Sequence, residues 1–403
     1  MSENENIKTL LVIGNGFDIA HGLKTKYTDF LNCVRECQEF LQSRQNEFVG
    51  RLANNHAYSI NLDCYIPYEK PKIIEAEKKN FLNDYQQKLN QRRKDENYLK
   101  KWRRKIQSSL KSKRLLKAYI MEYIYLFGNA WINYFQAIQN EKIRLIGENW
   151  VDFENEIANI IQKFEKFILN WEDLTKEERE HPDRDMAYFL SNYRNSTPKI
   201  LIQKDIPNMA WDLKMLTLAL EFYLIEATSK EIDKPVDIIK HLSNVSAIIS
   251  YNYSNIFGRI YKAKSDINLY FIHGELGKHN LILGIGETLD ENKQNKFTVC
   301  ASFKKFFQRI KYKLGNNYKN VLPTKPDSSN KWQIVIYGHS LDVTDEDSLK
   351  WLFKKAKDFK ITIYYIDDNA YNQQISNAIQ IIGKDQLIKD VNAGRIVFLP
   401  VNS

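Results

Sequence analysis

Short apolar runs rich in β-branched residues stand at the two ends of this chain and are nearly absent from its middle, a gap that constrains how it can fold. Thr9 to Ile13 (TLLVI) is followed at once by Gly14, Asn15 and Gly16. The next such runs are Val245 to Ser250 (VSAIIS), Asn268 to Ile272 (NLYFI) and Asn280 to Ile285 (NLILGI). Trp332 to Tyr337 (WQIVIY), Lys360 to Ile366 (KITIYYI) and Arg395 to Leu399 (RIVFL) complete the set. Most of these runs do not alternate, which suits strands covered on both faces, the habit of parallel sheets. Three consecutive domains would leave the first strand without a sheet. The pattern therefore predicts one α/β domain, a Rossmann-like parallel sheet built from residues 1–40 plus 243–403, interrupted by a large α-helical insertion over 41–242.

Within the insertion, Asp152 to Leu169 and Leu213 to Ser229 place apolar residues at three- and four-residue spacing, a helical period. Charge is concentrated there too. The chain carries 59 Lys plus Arg against 50 Asp plus Glu, a net +9. Residues 88–117 hold 13 Lys or Arg against Asp95 and Glu96, so this window is +11 and the other 373 residues sum to −2. That excludes a generally basic nucleic-acid coat and leaves one basic segment on a nearly neutral protein.

Four cysteines, Cys33, Cys37, Cys64 and Cys300, form no CxxC pair, so neither a disulfide scaffold nor a zinc ribbon is expected. No metal-ligand spacing such as HxxxH is present, and no metal is predicted. The polar, acidic first residues are unlike a secretory leader, and no apolar run approaches the ~18 residues of a membrane span. The expectation is a cytoplasmic protein with no membrane partner. Its oligomeric state is left open, a homo-oligomer included.

Polar residues cluster where strands end. Gly14, Asn15, Gly16, Phe17 and Asp18 follow the first strand, with His21 and Gly22 just beyond. A strand–Gly-x-Gly–helix turn lets backbone approach a phosphate, although the strict GxGxxG spacing is absent and Asp18 would repel an anion. Asn252 follows the second run, His273 and Gly274 the third, and Gly338, His339, Ser340 and Asp342 the fifth. Ligands bind outside the carboxyl ends of strands in open parallel sheets, so these residues are candidates for one shared site. Each also has a plain reading: Asn252 as a turn former, Ser340 and Asp342 as helix caps. Ser340 lacks the Gly-x-Ser-x-Gly elbow of a hydrolase nucleophile.

Ile13 to Leu23 (IGNGFDIAHGL) resembles the N-terminal signature of the bacteriophage abortive-infection AbiH family. Trp150 to Glu154 (WVDFE), Asn252-Tyr253, Ile272 to Gly274 (IHG), Leu281 to Gly284 (LILG), Phe306 to Ile310 (FFQRI) and Gly338 to Asp342 (GHSLD) resemble it in the same order. The family pattern is in turn similar to sirtuin-like NAD-binding domains. Gly14, Gly16, Gly22 and Leu23 fall at the spacing of the sirtuin glycine loop. Asn252 corresponds to its catalytic Asn, His273 to its His-Gly histidine, and Gly338, Ser340 and Leu341 to its nucleotide loop. Asp18 stands for the usual Ser, Lys24 for Pro and Ser254 for Asp, and no zinc ribbon follows His273.

The resemblance implies an antiphage effector that takes NAD as substrate rather than cofactor, and those departures point away from protein deacylation. Asn252, His273 and Asp18 are the expected catalytic residues, with His273 a general base titrating near neutrality. Gly14, Asn15, Gly16, Phe17, His21, Gly22, Gly338, His339, Ser340 and Asp342 are expected to bind the nucleotide, the amides from Gly14 to Phe17 holding its pyrophosphate. Asp152 and Glu154 read either as an acidic helix start or as a site wall. Two alternatives stand beside this reading. One is a nucleic-acid-binding or -cleaving defence protein whose basic segment engages RNA, DNA or a phage component. The other is a nucleotide-binding module without chemistry.

Overall fold

The computed structural model describes residues 7–43, 129–141, 150–190, 197–229, 232, 244–261, 267–286, 300–323 and 331–401. The basic segment 88–117 and Cys64 lie outside them. The chain divides into two compact units, one of Met1–Lys26, Asn149–Ile161 and Tyr223–Ser403, the other of Tyr27–Glu148 and Gln162–Phe222.

The first unit is α/β. Its described strands are β1 (Lys8–Ile13), β2 (Val245–Ser250), β3 (Asn268–Phe271), β4 (Trp332–Tyr337), β5 (Lys360–Tyr365) and β6 (Ile396–Pro400). They form one six-stranded sheet in the order β3-β2-β1-β4-β5-β6, and every pairing is parallel. The N-terminal strand is thus central, between β2 and β4. The chain steps outward from β1 to β3, then returns to the other side of β1, so the order reverses there. Such reversals open a crevice at the carboxyl ends of the strands.

Both faces of the sheet are buried, which explains the unbroken apolar runs. Leu10, Val12, Ala247, Ile249, Ile334, Ile336, Ile361 and Ile363 pack into one core. Leu11, Ile13, Ile248, Val335 and Tyr337 pack into the other. Register is shared at the carboxyl edge: Ile13 pairs Ser250 and Tyr337, and Ser250 pairs Phe271. Tyr251 N–H continues onto Ile13 O and Ile272 N–H onto Ser250 O, each at 2.9 Å. Residues just past four strands are therefore brought to one edge.

One expected strand is not formed. Leu281 to Ile285 is buried but irregular, with an isolated bridge between Ile285 and Lys304 as its only ladder contact among the described residues. Its backbone is satisfied elsewhere. Ile282 N–H donates to His273 O at 2.8 Å, and the Gln308 amide both accepts from Leu283 N–H at 3.1 Å and donates to Leu283 O at 2.9 Å. A Cβ at Gly284 would meet the Phe303 carbonyl, so the chain passes there without room for a side chain. The run's apolar content reports burial, and a side-chain amide takes the place of a strand partner.

The longer described helices, in chain order, are α1 (Asn15–Ala20), α2 (Tyr27–Ser43), α3 (Ala130–Glu141), α4 (Trp150–Leu169), α5 (Ile206–Ser229), α6 (Ile256–Ile260), α7 (Lys305–Tyr312), α8 (Glu346–Lys354), α9 (Asp368–Ile382) and α10 (Lys384–Asn392), with shorter turns between. The second unit is helical and its core is aromatic. Trp131, Tyr134, Phe135 and Phe164 are fully buried, and the Trp131 and Phe189 rings lie 4.5 Å apart. Asn129 caps α3 by accepting from Trp131 N–H and Ile132 N–H at 3.0 and 3.2 Å. It also donates to Asp212 O, while Asp212 Oδ2 accepts from Ala130 N–H at 3.0 Å. The cap thereby ties α3 to α5.

Candidate functional site at the carboxyl edge of the sheet

The glycine loop after β1 and the loop after β4 pass in direct contact. Gly14 N–H donates to Tyr337 O at 3.1 Å, Gly16 N–H to Gly338 O at 2.8 Å and Phe17 N–H to Gly14 O at 2.8 Å. A Cβ on Gly14 would lie 2.7 Å from Gly338 O and from His339 Cα. Gly338 has φ +67, and a Cβ there would fall onto Phe17 N, so both the conformation and the space demand glycine. Of the N–H groups expected to hold a pyrophosphate, those of Gly14 and Gly16 are spent on this crossing and that of Phe17 on Gly14 O within the loop.

Other members of the loop are held as firmly. The Phe17 side chain is fully buried in the core. Asn15 Nδ2 donates to Thr25 O at 3.3 Å. His21 bonds Phe17 O through Nδ1 at 2.7 Å and the Tyr261 hydroxyl through Nε2 at 2.8 Å, and burial lowers its pKa. Gly22 takes φ +75 and ends the loop with open space around it.

Asp18 forms the first of two polar clusters. It is buried, and it accepts from Asn252 Nδ2 at 2.9 Å on Oδ1 and from Ser254 Oγ at 2.5 Å on Oδ2. Burial pushes its carboxyl up to about 7, against the lowering effect of those two neutral donors. Two of the three expected catalytic residues thus touch directly. Ser254, noted in sequence only as a departure from the sirtuin pattern, completes the set.

Asp345 forms the second. It lies in the turn Val343–Asp345 that leads into α8 and is buried. His273 Nε2 is 2.9 Å from its Oδ1, Lys305 Nζ 3.0 Å from the same oxygen, and His339 Nε2 3.6 Å from Oδ2. His339 Nδ1 accepts from Leu341 N–H at 2.9 Å, which leaves its proton on Nε2, toward Asp345. Between the two imidazoles lies the Tyr251 ring, 5.6 Å from His273 and 4.1 Å from His339, with its hydroxyl donating to Ser348 Oγ at 2.7 Å. Lys305 also reaches Glu154 Oε2 on α4 at 2.8 Å.

One ammonium cannot hold two buried carboxylates equally. Burial would raise Asp345, but Lys305 and the donors His273 and His339 outweigh it and hold the carboxyl well below its usual range. Glu154 has no imidazole donors, and burial lifts it to about 7, with Asp345 adding to the rise and Lys305 and the Gly284 N–H opposing. Burial also lowers His273 to about 4, with Asp345 opposing and Lys305 and Arg309 adding to the fall. The expected near-neutral titration of His273 is corrected accordingly: a desolvated imidazole beside a cation resists protonation. Its Nδ1 is buried and has no hydrogen-bond partner among the described residues.

Ser340 and Asp342 stand apart from these clusters. Ser340 is exposed, and its carbonyl accepts from Asn377 Nδ2 at 2.9 Å. Asp342 accepts from Thr344 N–H at 2.8 Å and caps the turn before α8. Sequence reading missed Asp345 and Lys305. Asp345 sits in an acid-rich helix start, and Lys305 in a basic pair beside aromatics, both ordinary surface patterns.

A family model described as bacteriophage abortive infection AbiH matches residues 10–367. The chain belongs to that family. The AbiH match takes in both clusters, from Asp18 through Glu154, Asn252, His273 and Lys305 to Asp345, and ends before α9. No curated protein and no solved structure matches the chain.

Proposed function

We propose that this AbiH-family chain is an antiphage abortive-infection effector that hydrolyses NAD at the nicotinamide–ribose bond. The observation that carries the reading is His273, a buried neutral imidazole with Nε2 anchored on Asp345 and Nδ1 unpaired, one strand over from Asn252. Supporting it, the parallel order β3-β2-β1-β4-β5-β6 is that of Rossmann-like dinucleotide-binding sheets, whose ligands lie at the same edge.

The chemistry follows from these groups. Breaking the glycosidic bond builds positive charge on the ribose, nicotinamide leaves with the bonding electrons, and water adds to the ribose carbon. His273 Nδ1 accepts the proton that this water loses. A weak base suffices because water attacks a carbon already cationic. Asn252, its Nδ2 committed to Asp18, presents its carbonyl oxygen to the water or a ribose hydroxyl. Asp18, poised near 7, supplies negative charge when ionised.

Mass spectrometry of purified protein mixed with NAD, RNA and DNA tests this reading. Nicotinamide and ADP-ribose are expected in equal amounts, and both are lost in Asn252→Ala and His273→Ala. Unchanged NAD together with cleaved or retained nucleic acid would favour the basic-segment alternative instead. No helix among the described residues is long and apolar enough to cross a membrane.

A further inference from the structure

We propose that Lys305, braced by Glu154, is a positioning residue: it fixes Asp345 as the ionised carboxylate that holds His273 by its Nε2 atom. The proposal rests on the reading of His273 as the proton acceptor. Three separate elements meet here: Glu154 from α4, Lys305 from the first turn of α7, and Asp345 from the turn before α8. Lys305 is 1% exposed, so its ammonium has given up its hydration. Its backbone is pinned as well, with Lys305 N–H donating to Ile285 O at 3.0 Å.

A buried ion pair is a poor way to gain stability, because apolar residues of similar volume pack as well without the desolvation penalty. The geometry gives this one another use. Lys305 and His273 share a single oxygen, Asp345 Oδ1, at 3.0 and 2.9 Å. The cation keeps that oxygen ionised, and the oxygen dictates which ring nitrogen of His273 carries the proton. Nδ1 is then left as the lone pair. Lys305 also opposes protonation of that lone pair by charge. The groups facing His273 are Asp345, Lys305 and Arg309, with the Tyr251 ring alongside, His339 across Asp345 and Glu154 behind Lys305.

Lys305 and Asp345 act on His273 with opposite charges, so removing one or the other has opposite effects. Side-chain ¹⁵N NMR of the full-length protein without substrate reads both tautomer and titration. In the wild type His273 is expected as a single Nε2–H tautomer, protonating only near pH 4. Lys305→Met raises that midpoint by about one pH unit, and Asp345→Asn lowers it and mixes the tautomers. Lys305→Gln, which keeps a donor without the charge, still raises the midpoint. In steady-state NAD hydrolysis, Lys305→Met lowers kcat by about 10- to 100-fold with KM unchanged, and the acid limb of the pH profile moves upward. An unchanged His273 tautomer and midpoint in both Lys305 variants overturns the proposal. The expected NMR shifts in a protein that leaves NAD intact support the positioning role and overturn the choice of substrate.

Discussion

Asp18 and Asp345 are the same residue type, both buried at the carboxyl edge of one sheet, yet their environments shift their carboxyls in opposite directions. Asp18 is met by an amide and a hydroxyl, Asn252 and Ser254, and burial carries its carboxyl up to about 7. Asp345 is met by an ammonium and two imidazoles and stays ionised. Neutral donors soften the cost of burying a charge, whereas a cation reverses it. Pairs of titratable groups pushed apart in this way divide acid from base work within a site. Here one carboxyl is poised to change charge near neutrality, and the other serves as a fixed anchor for a histidine.

The largest effect expected is on turnover. His273→Ala removes the proton acceptor that Asp345 orients and should lower kcat for NAD hydrolysis by about 10³-fold, with circular dichroism unchanged. An equal loss in Asp345→Asn would mark the anchor and the base as one functional unit. Full activity in His273→Ala would remove the chemistry from the Asp345 side of the comparison.

Stability should separate the two carboxyls next. Asp18 is raised from 3.8 to about 7 in the folded protein. Between those values the folded state keeps a proton that the unfolded state has lost, so wild-type stability falls as pH rises from about 4 to about 7. The whole span is about 4 kcal/mol at most. Asp18→Asn should abolish this slope, leaving the variant more stable than wild type at pH 8 and nearly equal at pH 4 in urea unfolding. Asp345, held low, contributes stability that is present above its unfolded pKa and lost as pH falls through its depressed folded value.

Smaller effects sharpen the geometry. Gly338→Ala forces a side chain into a left-handed position against Phe17 N and should cost about 3 kcal/mol, read from the urea midpoint. It should also displace the loops that carry His339 and Asp18. Ser254→Ala deletes one donor to Asp18, costing about 1 kcal/mol and moving the Asp18 midpoint above its wild-type value.

Much of the sheet could be read from the chain because both of its faces are buried, and long β-branched runs mark such strands whatever their partners. The exception, Asn280 to Ile285, shows the limit: burial is written in composition, but the hydrogen-bond partner, here the Gln308 side chain, is not. Asn252, His273 and His339 were legible because each directly follows an apolar run. Asp345 and Lys305 were not, since an acid at a helix start and a lysine in a basic pair look solvated until three distant segments close over them. The glycines of the first loop were legible as glycines, but their reason was not. Gly14 and Gly16 admit the loop after β4, and Tyr337 O and Gly338 O take their amide protons.

Carboxyl ¹³C titration of the full-length protein with Asp18 and Asp345 assigned by substitution tests the central contrast most directly. Asp18 is expected to titrate near 7 and Asp345 to remain ionised to well below 3.8. Coincident midpoints near the ordinary aspartate value would contradict the division of roles between the two clusters.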